Sequence, residues 1–215
     1  DIYTSALTQA EDLGDKQGIG YSLNNIGIVH AIKRDVDTAL DYYGRSLAIK
    51  EELGDKQRIG YSLGNIGIVH SEKGDCDKAL DYFNRSLAIS EELGDKCGMG
   101  NSLNNIGIVH AYKGDCDKAL DYFDRSLAIC EELGDKCGMG NSLVCIGNVH
   151  HNKGDYDTAL DYYGRSLAIK EELGDKRGMG ASLNNIGNVY YYKGDYEKAL
   201  DYYARSLTIF EEIGD

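Results

Sequence analysis

The sequence predicts an all-α fold, an α-solenoid in which antiparallel helix pairs stack side by side. Three observations predict it. The hexapeptide EELGDK recurs every forty residues, at 51–56, 91–96, 131–136 and 171–176. Apolar residues between its copies follow helical spacing, and Gly-Asp pairs separate the helical segments. Because a single unit of this kind cannot bury its apolar faces alone, neighbouring units must stack.

Residues 176–215 represent one unit, KRGMGASLNNIGNVYYYKGDYEKALDYYARSLTIFEEIGD. Apolar or small residues follow intervals of three and four over 183–190, and a similar one-sided pattern covers 199–207. Both patterns are typical of amphipathic helices. The unit therefore contains two helices, each of about 18 residues or roughly 27 Å in length.

Gly-Asp pairs are the predicted helix boundaries. Gly194 can end the first helix in the left-handed conformation, and Asp195 can cap the second. Gly174 and Asp175 of the hexapeptide have the same order at the other end of the unit. With connections this short, the paired helices must run antiparallel.

Counting these units gives a leftover second-type helix, then five hairpins, and thus eleven helices in a single solenoid over residues 1–215. The leftover helix covers 2–13, and the hairpins cover 16–53, 56–93, 96–133, 136–173 and 176–213. One glycine per hairpin lies on the apolar face of the first helix, where it costs about 1 kcal/mol relative to alanine. We interpret these glycines as sites of close helix–helix approach; they are Gly27, Gly67, Gly107, Gly147 and Gly187.

Composition excludes several classes of partner. The formal net charge is −13, whereas nucleic acids and anionic membranes both require surfaces rich in lysine and arginine. No apolar run approaches the length of about 18 residues typical of a membrane span. The six cysteines form neither a secreted disulfide framework nor a CxxC motif, and we therefore predict a reducing, cytoplasmic setting.

The segment NNIGNVYYYKGDYEKALDYYARSL, residues 184–207, resembles the tetratricopeptide repeat. It has the small residue, the aromatic residue and the Gly-Asp-aromatic-x-x-Ala-Leu signature of that family. The usual unit has about 34 residues; this one has forty, longer by the length of the hexapeptide, and the chain contains no proline. In this respect it is similar to the long-unit subfamily of Partner of Inscuteable-type adaptors, kinesin light chains and bacterial signalling proteins.

The resemblance implies a right-handed superhelix whose first helices line a concave groove for peptide segments of other proteins. A carboxamide both donates and accepts hydrogen bonds, so a row of asparagines can pair with the main chain of an extended peptide. An alternative is that several asparagines, above all the series that includes Asn25 and Asn65, tie neighbouring helices together. Aligned with the family, the predicted peptide-binding residues are Asn24, Tyr61, Asn101, Asn104, Tyr112, Asn141, Asn148, Asn152, Asn184, Asn188, Tyr191 and Tyr192.

Charge at the aligned groove positions indicates the kind of segment that binds. The alignment with the family also places Glu72 toward the groove. None of the aligned positions is lysine or arginine, and Glu72 is the only charged residue among them. The subtype of the family that captures a C-terminal carboxylate uses inward lysines and arginines. We therefore predict internal segments of polar, aromatic or basic character as partners.

No other motif predicts chemistry. His30, His70, His110 and His150 recur once per unit, but equivalent atoms of stacked helices lie roughly 10 Å apart, too far to share one metal ion. We interpret these histidines as packing residues. Cys97 and Cys130 could face each other within one hairpin, which leaves a minor redox role open. No nucleotide-binding motif or nucleophile–base arrangement is present, so the prediction is a protein without cofactor, metal or enzymatic activity.

The leading hypothesis is thus a non-enzymatic scaffold that binds partner segments in its groove. Two alternatives remain open. The chain begins and ends in second-type helices without a polar cap helix, so the repeats could be the regulatory part of a longer signalling enzyme. The first and last helices are also complementary surfaces, and chains could associate end to end.

Overall fold

In a computed structural model that describes residues 2–214, the chain forms eleven α-helices and no strand, which confirms the predicted all-α class of stacked helix pairs. Within residues 2–214, every helix falls short of the length and apolar character needed to cross a bilayer. The helices are α1 Ile2–Leu13, α2 Lys16–Ile32, α3 Val36–Leu53, α4 Lys56–Glu72, α5 Cys76–Leu93, α6 Lys96–Tyr112, α7 Cys116–Leu133, α8 Lys136–Asn152, α9 Tyr156–Leu173, α10 Lys176–Tyr192 and α11 Tyr196–Ile213.

The chain divides into two compact units, Asp1–Val109 and His110–Asp215. In the first unit, each helix from α1 to α4 packs against the helix that follows it. In the second unit, the same holds from α7 to α10. The predicted division of one solenoid into five hairpins stays a prediction.

The hexapeptide explains how the second helix of one pair connects to the next pair. Gly54 ends α3 in the left-handed conformation with φ 66°, and the Asp55 carboxylate caps α4 by accepting a hydrogen bond from Arg58 N at 3.2 Å. Lys56, at the start of α4, pairs with Glu92 at the end of α5. This ion pair joins opposite ends of the two helices, which therefore run antiparallel. Equivalent pairs are Lys16–Glu52, Lys136–Glu172 and Lys176–Glu212.

The recurrent histidines lie near the turn between the first and second helix of a pair, and they pack against the second helix, as predicted. The His30 ring stacks on Tyr42 with centroids 5.6 Å apart, and its Nδ1 lies 2.9 Å from Asp35 Oδ2. The hydrogen bond with His30 lowers the pKa of the Asp35 carboxyl. In the last pair, tyrosine replaces histidine, and Asp195 instead caps α11 by accepting from Lys198 N at 3.2 Å.

Close approach of paired helices occurs at four of the five predicted glycines, and for Gly107 the expectation stays a prediction. A Cβ at Gly67 would lie 2.6 Å from the Phe83 ring, so only glycine leaves room for this fully buried side chain. The same relation joins Gly27 to Tyr43, Gly147 to Tyr163 and Gly187 to Tyr203. An aromatic residue from the second helix thus fixes the distance between the helices of a pair and lies beneath the predicted groove positions.

Candidate functional site

The predicted peptide-binding residues of the first unit lie on three first helices. Asn24 is on α2, Tyr61 is on α4, and Asn101 and Asn104 are on α6. Tyr61 and Asn101 are exposed, whereas Asn24 and Asn104 are half-buried. Each of these side chains therefore has at least part of its surface accessible to a ligand.

In the second unit, the predicted residues lie at the end of α6 and along α8 and α10. Asn188 is half-buried, and the other predicted residues of this unit are exposed. The exposed residues are Tyr112, Asn141, Asn148, Asn152, Asn184, Tyr191 and Tyr192.

Two of the predicted asparagines of the second unit are held by tyrosines from the second helices. The Tyr163 hydroxyl donates to Asn148 Oδ1 at 2.7 Å, and the Tyr203 hydroxyl donates to Asn188 Oδ1 at 2.8 Å. Burial raises the pKa of Tyr163, which keeps this donor protonated. Each carboxamide therefore has its oxygen bound and its orientation fixed, which leaves the amide N–H groups as donors for a ligand.

Other asparagines join helices, as the alternative interpretation proposed. Asn65 Nδ2 donates to Asn24 Oδ1 at 3.4 Å, a contact between α4 and α2 in the first unit. Asn141 Oδ1 accepts a hydrogen bond from Lys170 Nζ at 2.9 Å, a contact between α8 and α9. Asn24 and Asn141 thus contribute to helix packing and to the accessible surface at once.

Asn104 and Asn184 have the most unused hydrogen-bonding capacity. Asn104 Oδ1 is buried and has no hydrogen-bond partner among residues 2–214. Asn184 is exposed at the equivalent position of α10. A buried carbonyl oxygen without a partner is unfavourable by about 1–3 kcal/mol, so the arrangement at Asn104 lowers the stability of the free protein.

A pocket of about 320 Å³ lies between α2 and α4 in the first unit. Its walls are mainly aliphatic, and three polar side chains, Tyr43, Asn65 and Glu72, reach it. Burial and then the charge of Glu72 raise the pKa of Tyr43 to about 12. The complete lining is Ile28, Ala31, Ile32, Tyr43, Asn65, Ile68, Val69 and Glu72.

In the second unit, Tyr191 and Tyr192 belong to a cluster of five rings. The Tyr192 ring lies 5.1 Å from His151 and 6.4 Å from Tyr156. The Tyr191 ring lies 5.6 Å from Tyr192 and 5.6 Å from Tyr196. The two predicted tyrosines thus form part of a larger aromatic surface at the ends of α8 and α10.

Sequence reasoning missed the tyrosines of the second helices. Their signal is a pairing at a separation of fifteen residues. Asparagine pairs with tyrosine at 148 and 163 and at 188 and 203, whereas isoleucine pairs with phenylalanine at 68 and 83 and at 108 and 123. The first pair is mixed, with Ile28 and Tyr43. This alternation shows which residue type of the first helix accompanies each aromatic residue of the second helix.

Comparison with family profiles gives one family. A tetratricopeptide repeat profile matches residues 18–92 and 138–212, and a second tetratricopeptide repeat profile matches residues 100–133. These segments cover most of the chain. A comparison with curated proteins gives no match.

Several solved structures share the fold. BtubC (BKLC) from P. vanneervenii has a TM-score of 0.83 and 20% identity, over 99% of this chain and 89% of that chain. A Rap protein complexed with Competence and Sporulation Factor has a TM-score of 0.85 and 18% identity, over 97% of this chain and 58% of that one.

The third structure is a Signal Transduction ATPase with Numerous Domains (STAND) protein with a tetratricopeptide repeat sensor, from Pyrococcus horikoshii. It has a TM-score of 0.80 and 21% identity, over 97% of this chain and 31% of that chain. This chain therefore spans less than two thirds of the Rap protein and of the STAND protein. At these identities, the likeness shows a common fold.

Proposed function

The chain belongs to the tetratricopeptide repeat family, and on that premise we propose that it is a non-enzymatic scaffold that binds extended segments of partner proteins along its first helices. The observation that carries the proposal is a pair of carboxamides of fixed orientation in the second unit, Asn148 on α8 and Asn188 on α10. Fixed donors and acceptors suit the repeating amide groups of an extended main chain. The Rap relative is complexed with Competence and Sporulation Factor, which supports ligand binding by a protein of this fold.

Internal segments are the proposed partners. The predicted groove positions contain no lysine or arginine that could pair with a terminal carboxylate, and their one charge is the carboxylate of Glu72. A free C-terminus would therefore meet like charge at Glu72 and no cation. The net charge of −13 also favours basic over acidic partner segments. A reducing, cytoplasmic setting stays a prediction.

Selection of peptides from a random library displayed on phage, with the purified protein immobilised, supplies probes for this proposal. The selected peptides are then synthesised and titrated calorimetrically. We expect saturable binding that the double substitution Asn104→Ala and Asn184→Ala weakens by about fivefold to tenfold, because each substitution removes a carboxamide that pairs with the ligand. Amidation of the peptide C-terminus is expected to leave affinity unchanged.

Asn84→Ala is the matched control. Asn84 is an exposed asparagine on α5, a second helix that the proposal does not place in the groove. Its replacement is expected to leave binding unchanged. Equal affinity of the wild type and the double variant would remove the assignment of the groove.

End-to-end association is a second candidate function, favoured by apolar residues on α11. Leu200 and Leu207 are 69% and 57% exposed, whereas Leu160 and Leu167 at the equivalent positions of α9 pack against a buried cluster. We expect light scattering to give a mass above 23.6 kDa that rises with concentration, and Leu200→Glu with Leu207→Glu to restore the monomer mass. A constant monomer mass of the wild type would contradict this candidate.

A regulatory role within a larger protein is a variant of the scaffold proposal. It is supported by the STAND relative, whose repeats are named a sensor. In that case, binding of a segment to the first helices would be the input to another domain. A full reading frame that contains only repeats would count against this variant.

A further inference from the structure

The pocket between α2 and α4 contains Tyr43, whose hydroxyl has no hydrogen-bond partner among residues 2–214. The equivalent tyrosines of the last two helix pairs each have one. Tyr163 and Tyr203 donate to Asn148 and Asn188 on the neighbouring first helix. Tyr43 has isoleucine, Ile28, at the equivalent position, and an isoleucine side chain has no hydrogen-bonding group. Tyr43 is 3% exposed and lines the pocket, and no hydrogen bond joins its hydroxyl to any residue in 2–214.

Two more acceptors lie in the same pocket. Asn65 uses its amide nitrogen to bind Asn24 Oδ1, so its own carbonyl oxygen remains available. Glu72, on the last turn of α4, is exposed and supplies a carboxylate. Tyr43 and Glu72 line the same pocket, so the phenol and the carboxylate can both face one ligand.

The remaining walls are apolar. Ile28 and Ile68 are 37% and 41% exposed, and Ile32 is 77% exposed. A ligand that enters here therefore contacts aliphatic side chains along its length and meets oxygen atoms at its polar end. A long alkyl stem with a cationic head that has several N–H donors fits both features.

We propose that this pocket is a subsite for an arginine side chain of a partner segment. The alkyl stem packs between Ile28 and Ile68, and the guanidinium donates to the carboxylate of Glu72 and to the free oxygens of Tyr43 and Asn65. The charge of Glu72, in a chain of net charge −13, favours a cation. This inference deepens the proposed function and rests on it only for the identity of the partner as a protein segment.

A short probe peptide tests the subsite directly. Acetyl-Ala-Arg-Ala-amide is titrated into the full chain labelled at isoleucine methyl groups and followed by NMR. We expect saturable shifts of the Ile28, Ile32 and Ile68 methyl signals. The same peptide with citrulline, which is neutral and nearly isosteric, is expected to bind about tenfold more weakly. Equal binding of both peptides, or shifts confined to other isoleucines, would overturn the proposal.

Single substitutions measure the contribution of each polar group to binding of the arginine probe. Glu72→Gln is expected to weaken the arginine probe about tenfold, and Tyr43→Phe about threefold to fivefold. Ile28→Asn recreates the asparagine–tyrosine pair of the last two helix pairs and is expected to abolish binding while the fold is kept. Glu51→Gln removes an equal charge from the exposed end of α3, outside the pocket, and is expected to leave binding unchanged.

The outcomes distinguish the subsite from the proposed function. If library peptides bind and depend on Asn104 or Asn184 while the arginine probe does not bind, the subsite is wrong and the scaffold proposal stands. If the arginine probe binds at Ile28 and Ile68 while no library peptide binds, the pocket stands and the scaffold proposal is wrong. If Tyr43→Phe and Glu72→Gln both leave the affinity of the arginine probe unchanged, the subsite is overturned even where the probe binds.

Discussion

Phe83→Ala is expected to lower the free energy of unfolding by about 3–5 kcal/mol, a typical cost for a fully buried phenylalanine. Phe83 is 1% exposed on α5, and its ring lies against Gly67 of α4, where even a Cβ would come within 2.6 Å. Because glycine has no side chain that can move into the space left by the ring, the cavity persists in the variant. Urea denaturation, monitored by circular dichroism, measures the decrease in the free energy of unfolding.

The control uses residues that the chain has at equivalent positions. Phe83→Tyr keeps the ring but adds a hydroxyl over Ile68, and we expect it to cost about 1–3 kcal/mol because the hydroxyl has no partner. Addition of Ile68→Asn recreates the Tyr163–Asn148 pair, which is 2.7 Å long, and is expected to recover most of that loss. A cost below about 1 kcal/mol for Phe83→Ala would show that the ring is not closely packed.

The fold could be predicted from the sequence because each of its local signals recurs. The hexapeptide contains a glycine that adopts the left-handed conformation at the end of a helix and an aspartate that caps the next helix. Its lysine forms an ion pair with a glutamate of the next copy. All three functions agree with the helical spacing on either side of the hexapeptide. Local propensity and long-range packing thus favour the same two-helix unit, which is the condition for a reliable prediction.

The site could be predicted only in part because an asparagine suits both a groove and a helix contact. The carboxamide oxygens of Asn148 and Asn188 accept from tyrosine hydroxyls of the second helices, and Asn24 accepts from Asn65 of another helix. Neither contact follows from helical spacing, because both depend on the register between helices. Only comparison of the five pairs shows the alternation of tyrosine with asparagine and of phenylalanine with isoleucine.

The aromatic surface of the second unit could not be predicted for the same reason. His151 and Tyr192 lie on different helices, α8 and α10, and their rings meet at 5.1 Å. In the earlier repeats, alanine or serine occupies the position of His151. A feature that occurs in one repeat alone has no periodic signal, so the family resemblance gives Tyr191 and Tyr192 as binding residues without their neighbours.

Lys50→Met is expected to stabilise the protein by about 1–2 kcal/mol at pH 7, because it replaces a buried charge by an apolar side chain of similar length. Lys50 is 6% exposed, and its Nζ donates to the neutral Ser62 hydroxyl at 2.7 Å. Burial, and then the nearby charge of Arg58, lower the pKa of Lys50 from 10.5 to about 8. The folded chain therefore bears the cost of a poorly solvated cation at every pH below 8.

The dependence on pH follows from the direction of this shift. Between pH 8 and 10, the unfolded chain still binds the Lys50 proton and the folded chain has released it, so the contribution of this group makes the wild type more stable as pH rises. The advantage of Lys50→Met is thus largest at pH 7 and smaller at pH 9.5. Urea denaturation of both proteins at pH 7 and at pH 9.5 measures the difference in their free energies of unfolding. Groups that titrate equally in both proteins do not contribute to this difference.

Lys170→Met is the matched control, since Lys170 occupies the equivalent position of α9 and is 5% exposed. Its Nζ lies 3.2 Å from the Asp175 carboxylate and donates to Asn141 Oδ1 at 2.9 Å. Loss of this ammonium leaves two acceptors without their donor, so we expect destabilisation by about 1–3 kcal/mol. Opposite signs for one substitution at two equivalent sites would show that the partner of the ammonium, and not its burial, decides the cost. A Lys50→Met variant that is less stable than wild type at pH 7, or whose advantage does not change with pH, would contradict this account.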